Sequence, residues 1–216
     1  IQNYIIRQLT ERLEKSTGAK FEIGHVSLKF FNKLNLQSVY AGDLTNKKIA
    51  SIDNIEAKIN LLSLLKGDIH IDNITANNLD ANLYTDSIGV LNIQFLIDAL
   101  TPKEKQQTPD LIFPIITLNN ASFKYTNYSI PTQNLKEWQF NVNDIAVDSL
   151  FTQIQFSLTN QSNLDANINY LNFKEKSGFR LSHLSTCVKL TDSSFVSPFA
   201  NIKLPNTHLI TDSIAI

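Results

Sequence analysis

The chain contains 216 residues, 43% of them apolar, and carries a net charge of -1 at pH 7. This length and composition suffice for one large or two small domains with a hydrophobic core. Nucleic-acid-binding proteins carry clustered basic residues, so the balance of 19 basic and 20 acidic residues excludes nucleic acid as an expected partner. The single cysteine, Cys187, excludes an internal disulfide and a CxxC metal cluster.

The first predicted element is an amphipathic helix over residues 1–16. Its apolar side chains recur every four residues, and Gly18 is a natural stop. These apolar residues are Ile1, Ile5, Leu9 and Leu13, with Tyr4 beside them. Basic and acidic residues are interspersed on the other face, so we expect the helix to plug one end of a sheet core rather than to lie on a membrane.

Strands follow Gly18. Apolar and polar residues alternate over residues 20–30, 33–40, 48–60, 68–75 and 79–84. Two short helices are predicted at residues 61–65 and 92–100. The short polar turns favour antiparallel meander connections over helical crossovers. We therefore expect residues 1–100 to combine the N-terminal helix with a curved β-meander.

A polar segment separates this region from the rest of the chain. Residues 101–110 read TPKEKQQTPD, without an apolar side chain, so residues 101–112 are predicted to be a loop or linker. Further strands are predicted at residues 115–126, 137–147, 153–159, 164–173, 178–190 and 202–210. We expect residues 113–216 to continue the same sheet or groove.

One pattern recurs in these strands: the apolar alternation slips by one residue, as apolar-x-apolar-x-x-apolar. The slips fall at Gly24-His25, Gln37-Ser38, Asp53-Asn54, Asp72-Asn73, Asn119-Asn120, Asn143-Asp144 and Ser182-His183. An extra residue must be absorbed by a bulge or bend if the apolar residues are to stay on one face. The expected fold class is therefore mainly β with a few short helices: a curved antiparallel sheet or half-open β-groove, capped by the N-terminal helix.

The sequence shows no catalytic constellation. The four histidines are scattered, and the chain contains no P-loop, no GxGxxG and no GxSxG motif. We therefore expect a protein that is not an enzyme, with no metal site and no cofactor.

Three segments carry a resemblance to a known family. They are IQNYIIRQLTERLEKSTGAKFEIGHVSLKFFNKLNLQSVY at residues 1–40, IDNIEAKINLLSLLKGDIHIDNITANNLDANLY at residues 52–84, and LNIQFLIDAL at residues 91–100. This order of elements resembles the periplasmic start of AsmA-like proteins, in particular the large TamB (translocation and assembly module) type. The resemblance covers residues 1–100 well and residues 113–125 loosely.

The resemblance implies a location and partners. In that family a transmembrane helix, expected upstream of residue 1, anchors the protein in the inner membrane, and the rest projects into the periplasm. The family's apolar β-groove implies lipid acyl chains as the ligand, for phospholipid transport between membranes or for outer-membrane assembly. An outer-membrane assembly protein would bind through C-terminal regions that this sequence does not contain.

Groove-facing candidates follow from the slipped strands. They are Ile69, Ile71, Ile74, Leu79, Leu83, Ile116, Leu118 and Phe123. The same residues would also fit the closed core of two packed sheets. A β-sandwich module that recognises carbohydrate or protein is therefore the alternative function. Its surface aromatics would come from Tyr125, Tyr128 and Trp138, although Trp138 is expected in the core.

Overall fold

The computed structural model describes residues 2–29, 32–59, 71–100, 111–112, 114–131, 136, 138–159, 163–191 and 193–215. Within these residues, two helices, α1 (Gln2–Thr17) and α2 (Gln94–Leu100), accompany thirteen strands. The strands are β1 (Phe21–Lys29), β2 (Lys33–Gly42), β3 (Lys48–Ile59), β4 (Ile71–Thr85), β5 (Leu111–Ile112), β6 (Ile115–Asn127), β7 (Asp144–Thr159), β8 (Asn163–Glu175), β9 (Arg180–Leu190), β10 (Phe195–Ser197), β11 (Ala200–Leu204), β12 (Thr207–Thr211) and β13 (Ile214–Ala215). The predicted helix at residues 61–65 and the segment 101–110 lie outside the described residues.

Helix α1 ends where the sequence predicts. Gly18 has a φ of 74° and donates its N–H to the Glu14 carbonyl at 2.7 Å, which closes the last turn. The helix contacts β1 and α2. Leu13, expected on the buried face, is instead exposed. The helix therefore lies against the β1 end of the sheet without burying Leu13.

All strands belong to one open sheet. Its main path is β1-β2-β3-β4-β6-β7-β8-β9-β10-β13, with β11 and β12 joined to β9, and β5 joined to β7. Every pairing is antiparallel except β4 with β6, which is parallel. Residues 86–114, which include α2, make this crossover, so the prediction of meander connections alone is wrong at this point. The mainly β, curved and half-open fold is confirmed. The described strands do not form the two face-packed sheets of the sandwich alternative.

Two predicted strand breaks are wrong. The strands predicted at 68–75 and 79–84 form the single strand β4, in which Asn78 has a φ of 55°. Similarly, β7 runs through Ser149, whose φ is 51°. Asn and Ser tolerate left-handed backbone angles in bulges as well as in turns, so these residues kink long strands rather than ending them.

Left-handed residues of neighbouring strands align across the sheet. Ser38, Asn78 and Asn120 have φ of 54° or 55°, and Gly24 and Asp53 occupy the matching positions of β1 and β3. We call this row of five residues the crease. Ser149 of β7, with a φ of 51°, lies beyond the Ala121–Leu150 pair and makes a separate kink. The regular pairing of β1 with β2, β2 with β3, and β3 with β4 skips the crease residues. Neighbouring strands are therefore kinked along one line.

The slip pattern locates most of these irregularities. Four of the predicted slips contain a crease residue, and those at Asp72-Asn73 and Ser182-His183 coincide with register shifts against β3 and β8. The slip at Asn143-Asp144 is wrong, since Phe140 and Val142 lie exposed before β7 begins. The kink of β7 follows Asp148, between Val147 and Leu150.

Candidate functional site: the apolar face of the sheet

Strand register brings the candidate groove residues together. Ile74 pairs with Ile116, Ala76 with Leu118, and Ala81 with Phe123 in the parallel β4–β6 ladder. Leu79 and Leu83 follow on the same side of β4, because the kink at Asn78 restores the alternation. Ile71 joins them through the register shift beside Asp72. Ile69 lies outside the described residues. The other seven candidates therefore share one face.

The apolar face extends over strands that the candidate list omits. On one side Val26 pairs with Leu36, and Leu36 pairs with Ile55. On the other side Ile116 pairs with Ile154, and Ile154 with Ile168. The predicted slips in β1, β2, β3 and β9 are flanked by several of these apolar residues. Only the strand register shows that the residues continue one surface. We call this continuous face the trough.

Most large side chains of the trough are half-buried. Among the described residues, ten apolar side chains are buried, and five of these are alanines. Ala57, Ala76 and Ala121 are covered by larger neighbours, whereas Ile74, Leu79 and Leu118 keep part of their surface accessible. A closed core would bury large apolar side chains of this kind fully.

Two buried threonines on the trough face have internal hydrogen-bond partners. Thr152 donates its hydroxyl to the Tyr170 carbonyl at 2.9 Å. Thr186 donates to the Phe199 carbonyl at 2.8 Å and lies 2.8 Å from the Ser197 hydroxyl. The hydroxyl of Thr211, which pairs with Ala200 on the same face, is buried without a hydrogen-bond partner in the described part of the chain. The trough therefore offers few polar groups to a ligand.

The opposite face of the sheet is polar. Asn119 donates its side-chain amide to Asn77 at 2.9 Å, and Asn169 donates to Gln153 at 2.7 Å. Asn35, which is buried, donates to Asn54 across β2 and β3. The polar pairs on this face contrast with the apolar side chains of the trough, so the two faces differ sharply in character.

Two buried carboxylates organise the turns at one end of the sheet. Asp43 accepts hydrogen bonds from the backbone of Thr45 and Lys47 at 2.7 and 2.9 Å, and from the Tyr84 hydroxyl at 2.9 Å. Burial raises the pKa of Asp43, but bonds from Thr45, Lys47 and Tyr84 outweigh burial and hold it below the ordinary value. The bond to Asp43 raises the pKa of Tyr84.

Glu175 has the same role between β8 and β9. Its carboxylate accepts hydrogen bonds from the backbone N–H of Ser177 and Ala146 and from the Ser177 hydroxyl. Burial raises the pKa of Glu175, and these hydrogen bonds lower it further than burial raises it. Both carboxylates are bound by turn donors, which marks them as structural rather than catalytic groups.

The predicted surface aromatics separate. Tyr125 is half-buried in the trough, whereas Tyr128 is exposed. Trp138, expected in the core, is 68% exposed, because residues 138–143 form turns rather than the start of a strand. The predicted binding loop at 101–110 lies outside the described residues.

Neither a metal centre nor a membrane-spanning helix occurs in the described ranges. No group of three or more His, Cys, Asp or Glu residues is placed there to hold a metal ion. Neither α1 nor α2 has the length and hydrophobicity needed to cross a bilayer.

Comparison with known proteins gives one match. The sequence profile of the AsmA family matches residues 7–206, nearly the whole chain. No curated protein matches the chain.

Proposed function

Since the chain belongs to the AsmA family, we propose that it is a non-enzymatic module of the cell envelope whose trough takes up the acyl chains of lipids. The observation that carries this proposal is the continuous, half-exposed apolar face of an open sheet. A contiguous apolar surface of this extent is rare on a soluble monomer unless something binds it.

Acyl chains fit the chemistry of this face. Burying a methylene group contributes about 0.8 kcal/mol, so ten methylenes contribute about 8 kcal/mol without a specific polar contact. The trough has the matching composition, because its large side chains are apolar and its Thr152 and Thr186 hydroxyls are occupied. A site of this kind needs no catalytic group.

The finer assignment follows the resemblance of residues 1–40 and 52–84. We propose a TamB-type protein, located in the periplasm and held in the inner membrane by a helix upstream of residue 1. Its ligand would be phospholipid in transit between membranes, and its C-terminal regions, outside this sequence, would bind an outer-membrane assembly protein. Residues 1–100 and 113–216 would form two stretches of one groove, joined by the parallel β4–β6 pair.

Adjacent residues on opposite faces of β6 provide a test. Leu118 lies in the trough, and Thr117 lies on the polar face, where it accepts a hydrogen bond from Gln153 at 3.3 Å. We expect Leu118→Arg to lose most of the phospholipid that co-purifies with the wild-type protein, because acyl chains in the trough would remove water from the arginine charge, which costs free energy. Thr117→Arg should retain it. Mass spectrometry of extracted lipids measures the loss, and circular dichroism checks that both variants fold.

Two results would refute the proposal. One is wild-type protein that carries no phospholipid when purified from cells under mild conditions. The other is equal lipid content in folded Leu118→Arg and Thr117→Arg proteins.

A further inference from the structure

The turns at one end of the sheet expose large apolar side chains. β2, β4, β6 and β8 end there, and β3, β7 and β9 begin there. We define the rim by six exposed residues on these turns: Leu44, Ile88, Tyr128, Trp138, Phe140 and Val142. We propose that the rim docks on an anionic lipid bilayer and so places this edge of the trough against a membrane surface.

Contacts join the separate turns into one surface. The rings of Tyr84 and Tyr128 lie 6.0 Å apart, which links β4 to the turn after β6. The rings of Phe140 and Phe179 lie 6.3 Å apart, and those of Phe179 and Phe173 lie 6.0 Å apart. Phe173 is a residue of the trough, and it pairs with Leu181 on β9. The rim is therefore continuous with the trough.

The shape and residue types of the rim favour a bilayer over a folded protein. Its side chains stand on separate turns, and Trp138 and Val142 are 68% and 63% exposed. Trp and Tyr combine an apolar ring with a polar atom, and this combination concentrates at membrane–water interfaces. Separate apolar tips can each enter a fluid lipid layer, whereas a protein partner would need a complementary rigid surface.

The charges around the rim favour anionic lipid. Lys136 lies 5.6 Å from the centre of the Trp138 ring, and Lys47 and Arg180 are exposed nearby. Asp144 forms an ion pair with Lys176, and Asp43 and Glu175 are buried in the turns behind the rim. Asp86 keeps its charge while its carboxylate accepts the backbone N–H groups of Ile88 and Val90, both at 2.9 Å. The exposed cations Lys47, Lys136 and Arg180 stand beside the rim side chains, where each attracts lipid phosphate by about 1 kcal/mol near an anionic surface.

Docking at this edge would give the proposed function a route for its ligand. If the trough binds acyl chains, contact between its edge and a bilayer lets a chain move between them without crossing water. This consequence rests on the proposed function. The docking itself does not, because the rim and the trough consist of different side chains.

The single tryptophan makes docking directly measurable. Trp138 is the one tryptophan of the chain and lies on the rim. Vesicles of equal parts phosphatidylcholine and phosphatidylglycerol should shift its emission to shorter wavelength, and added salt should weaken binding. We expect Phe140→Ser/Val142→Ser to raise the lipid concentration for half-maximal binding at least about tenfold, as two apolar contacts are lost.

A matched control exists on β12. Phe140 and Val142 are 51% and 63% exposed, and Leu209 and Ile210, which lie on the strand away from the rim, are 49% and 65% exposed. Leu209→Ser/Ile210→Ser should therefore bind vesicles as the wild-type protein does. Unchanged Trp138 emission at saturating vesicle concentration would overturn the proposal, and so would equal binding by the two double variants. A Phe140→Ser/Val142→Ser protein that binds vesicles normally but no longer binds a protein partner would show that the rim is a protein interface instead.

Lipid content separates this proposal from the proposed function. The Phe140→Ser/Val142→Ser protein should retain its co-purifying phospholipid, because its trough is intact. Wild-type protein that binds vesicles but carries no lipid would refute the trough's proposed role and leave docking supported. Wild-type protein that carries lipid but does not bind vesicles would refute docking and leave the trough's proposed role supported.

Discussion

Replacing Asn78 by alanine should destabilise the protein more than replacing it by glycine. Asn78 lies in the middle of β4 and has a φ of 55°, which is a left-handed backbone conformation. In this conformation an L-residue without a local polar side chain is strained by about 1–2 kcal/mol. Its side chain also donates to Asp53 at 3.0 Å and accepts from Asn120 at 2.8 Å. At this exposed site each bond contributes about 0.5 kcal/mol.

These contributions predict different costs for the two substitutions. Asn78→Ala loses both hydrogen bonds and gains strain, so the free energy of unfolding should fall by about 2–3 kcal/mol. Asn78→Gly loses the bonds without the strain but adds glycine's backbone entropy cost of about 0.5–1 kcal/mol, so the fall should be about 1.5–2 kcal/mol. Urea denaturation followed by circular dichroism measures both values.

Asn77 supplies the control, because it lies next to Asn78 without a left-handed φ and accepts one hydrogen bond from Asn119. In an ordinary strand position glycine is worse than alanine by about 0.5–1 kcal/mol, so the order of the two variants should reverse at residue 77. If alanine were the more stable replacement at both positions, the crease would not depend on left-handed residues, and this explanation of the kink would be refuted.

Four further predictions concern the ends and edges of the sheet. Gly24→Val should cost about 1–3 kcal/mol in a urea titration, because a Cβ at Gly24 would lie 3.0 Å from the Ser38 Cβ; an unchanged midpoint would contradict this. Tyr84→Phe should lower stability by about 1–2 kcal/mol at neutral pH and by less below the lowered pKa of Asp43, where its carboxylate is protonated; equal losses would argue against a charge-assisted bond. The pKa values of Asp43 and Glu175 are lower in the folded than in the unfolded chain, so the stability that these carboxylates contribute is present above the ordinary carboxyl pKa and is lost as pH falls through the folded-state pKa values. The melting temperature should therefore decrease as the pH is lowered below about 4. A melting temperature that does not change with pH would contradict this. Thr186→Val should cost about 0.5–1.5 kcal/mol in thermal unfolding, because it removes one of the two hydroxyl hydrogen bonds to the Phe199 carbonyl and leaves that of Ser197; a variant as stable as the wild-type protein would show that the Thr186 bond contributes nothing.

The bent, one-sided sheet could be predicted because its causes are local. A slip such as Asp53-Asn54 keeps Ile52 and Ile55 on one face only if the strand bends, and the structure places Asp53 in the crease. Seven candidate groove residues share a face for the same reason, since side-chain alternation and local kinks decide the direction of each side chain.

Features that depend on pairing could not be read from local patterns. The Asn77-Asn78 pair is equally suited to a turn and to a kink within a strand, and only pairing of β4 with β3 and β6 on both sides of Asn78 makes β4 continuous. The parallel β4–β6 ladder depends on where the crossover returns the chain, which no short segment specifies. Trp138 is exposed because its neighbours form turns, although its apolar ring suggested a core position.

Photocrosslinking in cells tests the lipid-binding trough most directly. A benzophenone amino acid at position 118 would report contacts within the trough, and the same probe at position 117 would report contacts on the polar face. The account predicts phospholipid adducts, identified by mass spectrometry, at position 118 and none above background at position 117. Adducts of equal yield at both positions, or none at position 118 in folded protein, would contradict it.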